Sequence, residues 1–325
     1  MKRITHCFSW FTPILFLLSA CAIDPAGKET GTRMRAQGVL GVQTVLVLAV
    51  SFPGKTPDGN LDRIKQRVLQ ETLEYYNKAS YGKTTLVGEV KGWYPLPRPL
   101  EDYKVSPYNI QVDPARVRRL VEDAFSASEK EVNFSRYKNV ILVLGVTTRP
   151  GEGYGMIAYC ANPGMLRAGL MRRGGAHLET IRTRGGQEFS GGIVVVAHNA
   201  RVGHVVHDLA HALGGVEGGK RLVPDLYDTV LQGKVGPLTH ESYPKFAVFM
   251  GPWDVMSQHF ITRDGPTPGM SSFTRLRLGW IEDDQVLEIS PGESRAVTLA
   301  PLGDGQGTLV LRIPGRWGSY YLLEN

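Results

Sequence analysis

His207, Asp208 and His211 are the residues of this 325-residue chain whose types and spacing most directly suggest chemistry. On a helix, positions i and i+4 lie about 6 Å apart along the axis and on one face, so two imidazoles can converge on a single divalent ion. Asp208 directly follows the first histidine, where a carboxylate can take a proton from water activated at that ion. His204 shares the stripe but sits about 10 Å along the axis from His211, too far for both to bind one ion at bonds of about 2 Å. It reads as a supporting or surface residue. Taken alone, two histidines at this spacing fit ordinary half-buried helix residues better than a metal site.

The residues downstream supply what such a site still needs. Gly214, three positions after His211, lets the chain turn back sharply. That turn can deliver a third ligand: Glu217 falls six residues after His211, and Pro224-Asp225-Leu226-Tyr227-Asp228 follows. Gly251-Pro252-Trp253-Asp254-Val255-Met256-Ser257 and Leu278-Gly279-Trp280-Ile281 complete an ordered series.

This series resembles the immune inhibitor A family of secreted zinc metallopeptidases, whose members read HExxHALGLPDLYD, then GxWDxMS, then a segment ending in LGWI. Tyr75-Tyr76-Asn77-Lys78-Ala79-Ser80-Tyr81-Gly82-Lys83 with Val90-Lys91-Gly92-Trp93 is similar to the family's N-terminal signature. Tyr320 to Asn325 is similar to the strand after its catalytic domain. The resemblance implies a zincin-like, two-lobed α+β domain holding one Zn2+ ion, with structural Ca2+ compatible, and hydrolysis of a polypeptide substrate by metal-activated water. His207 and His211 would be ligands, Asp208 the catalytic carboxylate, and Met256 the methionine turn beneath the metal. Trp253 and Trp280 read as packing residues of the lower lobe.

Two departures from the family pattern fall on the chemistry itself. Asp208 replaces glutamate and begins about 1.5 Å short of the water it should activate, a misplacement that can cost on the order of 10²-fold in rate. Gly215 to Leu222 is an insertion before Val223-Pro224-Asp225. In the family the aspartate of this Pro-Asp is the third ligand, so the resemblance leaves two alternatives for it here: Glu217 keeps the family spacing and Asp225 the family motif. Asp225 is slightly favoured, because a Gly-rich loop can bulge outward without moving it. The alternative function is a catalytically weak or inactive pseudopeptidase, a metal-stabilised surface module that binds without cutting. A secreted globular domain with no metal is the third reading.

The elements that must position these residues follow from periodicity. Val42 to Phe52 is a continuous apolar run of strand length, and Asn60 to Asn77 places Leu61, Ile64, Val68, Leu69, Leu73 and Tyr76 on one helical stripe. Thr84 to Val90 and Asn139 to Val146 read as strands, Pro114 to Ala127 as a helix, and Gly192 to Ala197 as a buried or edge strand. The histidine helix is expected over Ala200 to Leu213, capped by Asn199. Thr147 to Gln187, rich in Gly and Arg and without a period, is expected to form loops lining a cleft.

The ends set the compartment. Lys2 and Arg3 precede an apolar run, Phe8 to Leu18, that suits a signal peptide and is too short to span a bilayer. Leu18-Ser19-Ala20-Cys21 resembles a lipobox, which implies acylation of Cys21, membrane attachment through lipid and a place in the bacterial cell envelope outside the cytoplasm. Residues 1–21 are then the signal, 22–38 a flexible tether, 39–285 the metallopeptidase-like domain and 286–325 the start of a β-rich module that reads as incomplete. Only Cys160 remains to form an internal disulfide, so none is expected. The net charge of +6 is spread along the chain, which argues against a nucleic-acid partner.

Overall fold

The computed structural model describes residues 39–103, 114–147, 158–161, 180–217, 220–227, 250–257, 266–290 and 292–325. The expected signal, Cys21 and tether lie outside the described residues. Strand β1 (Gly41–Ser51) is followed by α1 (Leu61–Ile64), a π-helical stretch (Lys65–Gln70) and α2 (Glu71–Ala79). Next come β2 (Thr84–Pro95), α3 (Pro114–Ser128), β3 (Asn139–Leu144), β4 (Ala158–Ala161), β5 (Ile181–Arg182), β6 (Glu188–Phe189) and β7 (Gly192–Ala197). Helix α4 (Val202–Gly214), the short strands β8 (Val216–Glu217) and β9 (Lys220–Arg221), and α5 (Ser272–Arg277) complete the main body.

The principal sheet has the order β2-β1-β3-β7-β4. The first four strands run parallel, and β4 pairs antiparallel with β7 at the edge beside α4. This is a mixed α/β architecture with several helices, compatible with the α+β expectation. Alternate residues of a strand face opposite sides of its sheet. Val45, Val47 and Ala49 accordingly pack with Ile64, Val68 and Tyr76 and with Val205, Val206 and Leu209 of α4. Leu46, Leu48 and Val50 pack on the other side with Leu120, Val121 and Phe125 of α3. Because helices cover both faces, β1, β3 and β7 read as unbroken apolar runs rather than alternating ones.

Three sequence expectations need correction here. Asn60 is not part of its helix but caps it, accepting from Arg63 N at 2.8 Å, and the helix behind it is interrupted by a π stretch. Such stretches are a departure that apolar periodicity does not encode. Helix α4 starts at Val202 with Arg201, not Asn199, at its cap position. The segment expected to be loop contains β4, a four-residue strand too short to show a period.

The Tyr75-Tyr76 pair ties α2 to the rest of the body. Tyr76 donates to the Val206 carbonyl of α4 at 2.7 Å, Tyr75 to the Pro268 carbonyl at 2.8 Å, and the Tyr76 ring packs edge-on against Trp280. The C-terminal strands β10 (Val286–Glu288), β11 (Val310–Pro314) and β12 (Tyr320–Leu323) form a separate three-stranded sheet over Ile281, Leu302, Leu309 and Val310. It is bonded to the body through Tyr81 Oη to the Leu302 carbonyl, 2.7 Å, and Ser272 N to Glu324 Oε2, 2.6 Å.

Candidate metal centre

Helix α4 is buried along most of its length, and its seat depends on glycine. A Cβ at Gly192 of β7 would stand 2.7 Å from Ala212 Cβ, so the helix can lie this close to the sheet only over a residue without a side chain. The start of α4 is fixed from the other side, where the Arg67 guanidinium, in the π stretch, donates to the Ala200 carbonyl.

On this helix the His207 and His211 rings stand 4.7 Å apart and nearly perpendicular. Each ring is oriented by a backbone carbonyl at Nδ1, Val255 O at 3.0 Å for His207 and Val223 O at 2.7 Å for His211. A carbonyl only accepts, so both Nδ1 atoms carry hydrogen, and in the neutral rings the Nε2 lone pairs are left facing a common point. Asp225 Oδ1 completes a triangle with them: 3.1 Å between the two Nε2 atoms, 3.2 Å from His207 Nε2 to Oδ1 and 2.9 Å from His211 Nε2 to Oδ1. Ligand atoms bound at about 2.0–2.1 Å to a tetrahedral ion stand about 3.3 Å from one another. The donor set and its spacing therefore fit a divalent ion.

His207, Asp208 and His211 also form a group that can hold a metal ion, their ligand atoms lying within 4.8 Å of one another. Asp225 is closer to both imidazoles than that limit requires, and is the better placed of the two aspartates to act as a ligand. Asp208 is buried beside the pair, and its Oδ2 has no hydrogen-bond partner among the described residues. Burial pushes its pKa up to about 7, against the opposing pull of His207 and Arg221. Burial likewise drives His211 down to about 4, helped by Arg221. Burial acts the same way on His207, but the Asp225 and Asp208 carboxylates outweigh it and raise that ring. Asp225 is held well below the usual carboxylate range: burial opposes this, and His211, His207 and Arg221 overcome it.

Compared with known protein-family models and with curated proteins, the chain matches none. The functional reading therefore rests on the chain's own residues.

The inserted segment is a paired hairpin and not an irregular loop. Strands β8 and β9 pair as a tight hairpin, Val216 with Arg221 and Glu217 with Lys220, and Leu222 N donates to the Gly215 carbonyl at 3.1 Å. The chain thus leaves and returns at one point, which is how Val223-Pro224-Asp225 keeps its place despite the insertion. The hairpin also delivers Arg221, whose Nη1 lies 3.0 Å from Asp225 Oδ2 and 3.0 Å from His211 Nε2. The sequence reading missed this residue, since nothing local marks one arginine of a Gly-rich loop as inward. The sharp turn is also made one residue later than expected: Gly214 is still helical, and Gly215 takes φ +71°. The side chain of Glu217 lies outside the described residues.

Other residues singled out in the sequence take clear places. Met256 is fully buried, and its carbonyl accepts from Leu226 N at 2.9 Å, so the methionine segment anchors the residue next to Asp225. Asp254 organises that segment, accepting from Met256 N at 2.8 Å, Ser271 N at 2.9 Å, Ser271 Oγ at 2.5 Å and Thr274 Oγ1 at 2.6 Å. Trp280 is fully buried and donates to Thr84 Oγ1 at 2.7 Å. Trp253 does not pack as expected; it is 74% exposed, because its 3-10 turn faces outward while Asp254 and Met256 face in. His204 is buried rather than at the surface, and burial lowers it to about 3. Tyr227, not assigned a role from sequence, lays its ring against His207, with centroids 6.1 Å apart and planes 25° apart.

Proposed function

We propose that this chain is a zinc-dependent metalloendopeptidase of the immune inhibitor A type, with a zincin-like fold, exported and lipid-anchored through Cys21. The observation that carries the reading is the triangle of His207 Nε2, His211 Nε2 and Asp225 Oδ1, 2.9–3.2 Å on each side, with both imidazoles fixed through Nδ1. Three such atoms this close repel one another unless a proton, a neighbouring cation or a bound ion is shared among them, and two imidazole lone pairs with one carboxylate are a donor set that zinc accepts.

In this reading His207, His211 and Asp225 hold the ion, and Met256 and Val255 support His207 from below. Bound zinc supplies Lewis acidity, polarising a peptide carbonyl and making water nucleophilic near neutral pH. Asp208, buried beside the two imidazoles, would accept the proton from the attacking water and return it to the leaving amine. Strand β4, next to α4 and last in the sheet order among the described residues, suits an extended polypeptide added as a further strand. In this reading a substrate backbone would run along the metal helix.

The shorter reach of Asp208 and its buried position favour one competing reading, a metal-holding binding module that does not cut. The two separate on the purified full chain assayed on unfolded protein with zinc and with a chelator. Chelator-sensitive cleavage, lost in Asp208→Asn and raised about 10-fold or more in Asp208→Glu, is expected for the peptidase. Zinc binding without cleavage by the native chain or by Asp208→Glu would leave the binding module.

A further inference from the structure

We infer that Arg221 is a built-in cation of this centre, competing with a metal ion for His211 and thereby setting how tightly the metal is held; the inference rests on the metal-site reading above. Arg221 Nη1 lies 3.0 Å from His211 Nε2, whose Nδ1 is already committed to the Val223 carbonyl. The imidazole has one remaining lone pair, in the ring plane at Nε2. An N–H donor at hydrogen-bond distance and an ion at about 2.0 Å cannot share that lone pair, so the two occupants exclude each other there.

The same guanidinium also holds Asp225 through Oδ2 at 3.0 Å, the oxygen that does not face the imidazoles. Arg221 can therefore keep its hold on the carboxylate while leaving His211. Its carrier fits such a movement: a hairpin of two paired positions, closed at its base by the bond from Leu222 N to the Gly215 carbonyl. A positive charge kept this close also repels a divalent ion directly. Two consequences follow. With Arg221 in place, His211 Nε2 has a donor and Asp225 is held through its other oxygen without a metal. Metal entry carries the cost of moving Arg221 off His211.

The sign of one substitution decides between competition and simple support. Zinc affinity of the full chain, measured by competition with a chromophoric chelator, is expected to be at least about 10-fold tighter in Arg221→Gln. Arg221→Lys, which keeps a charge on the same strand, is expected to stay within about threefold of the native chain. A chain with residues 216–221 deleted, joining Gly215 to Leu222, is expected to match Arg221→Gln and serves if that variant fails to fold. Equal or weaker zinc binding in both neutral variants, by the 10–100-fold typical of lost support around a metal ligand, would overturn the inference and leave Arg221 as a brace for Asp225. Absence of zinc binding in the native chain and in every variant would instead end the metal reading itself.

Discussion

Gly214 and Val223 are in direct contact at the point where the chain leaves the metal helix and returns to it: a Cβ on Gly214 would lie 2.7 Å from Val223 Cγ2. Val223 also supplies the carbonyl that orients His211 through Nδ1 at 2.7 Å. Helix end, hairpin exit and imidazole orientation are therefore one packed unit.

Gly214→Ala is expected to disturb that unit more than its single methyl suggests. The helical backbone at this position accepts alanine, so the effect comes from overpacking against Val223, about 1–3 kcal/mol of stability. Zinc affinity is expected to fall about 10-fold with it, as the Val223 carbonyl shifts from His211. Thermal unfolding with chelator and zinc titration check the two separately.

The third ligand can be assigned by paired substitutions. Asp225→Asn is expected to weaken zinc binding by about 100-fold or more, since the charged ligand that both imidazoles face is lost. Glu217→Gln is expected to leave affinity within about threefold. The reverse pattern in a zinc titration would return the role to Glu217.

Asp208 gives the metal-free protein a defined pH signature. Its folded pKa is raised to about 7 from an ordinary 3.8, so the folded chain binds the proton more tightly than the unfolded chain does. The stabilisation is complete below about 3.8 and is lost as pH rises through about 7. With chelator present, stability of the native chain relative to Asp208→Asn is therefore expected to fall across that window. A flat difference between the two chains from pH 4 to pH 7 would contradict a buried, proton-holding Asp208.

Asp254→Ala is expected to destabilise the body by about 3 kcal/mol or more, because each buried donor left unpaired costs about 1–3 kcal/mol. Four donors, from Met256, Thr274 and twice from Ser271, converge on this carboxylate. Denaturant unfolding measures the loss, and zinc binding is expected to weaken with it, since Val255 O orients His207.

Much of the fold was legible because it is local. The apolar runs of β1, β3 and β7 and the stripe of α1 and α2 announce themselves through periods of strand and helix. The π stretch, the short edge strand β4 and the cap at Arg201 were not legible, since each is settled by what packs against it. Trp253 shows the limit from the other side: its motif suggested packing, and only the direction of its turn turns it outward.

The sequence by itself determined that His207 and His211 share a face, because 3.6 residues per turn makes i and i+4 neighbours wherever a helix forms. Only the tertiary structure decided that Asp225 Oδ1 lies about as close to both imidazoles as they do to each other, and that an arginine from an inserted hairpin enters the same space. Those contacts cross a chain reversal whose path depends on Gly215, on the hairpin ladder and on Val223 against Gly214. Separation along the chain carries no information about distance once the backbone turns back on itself.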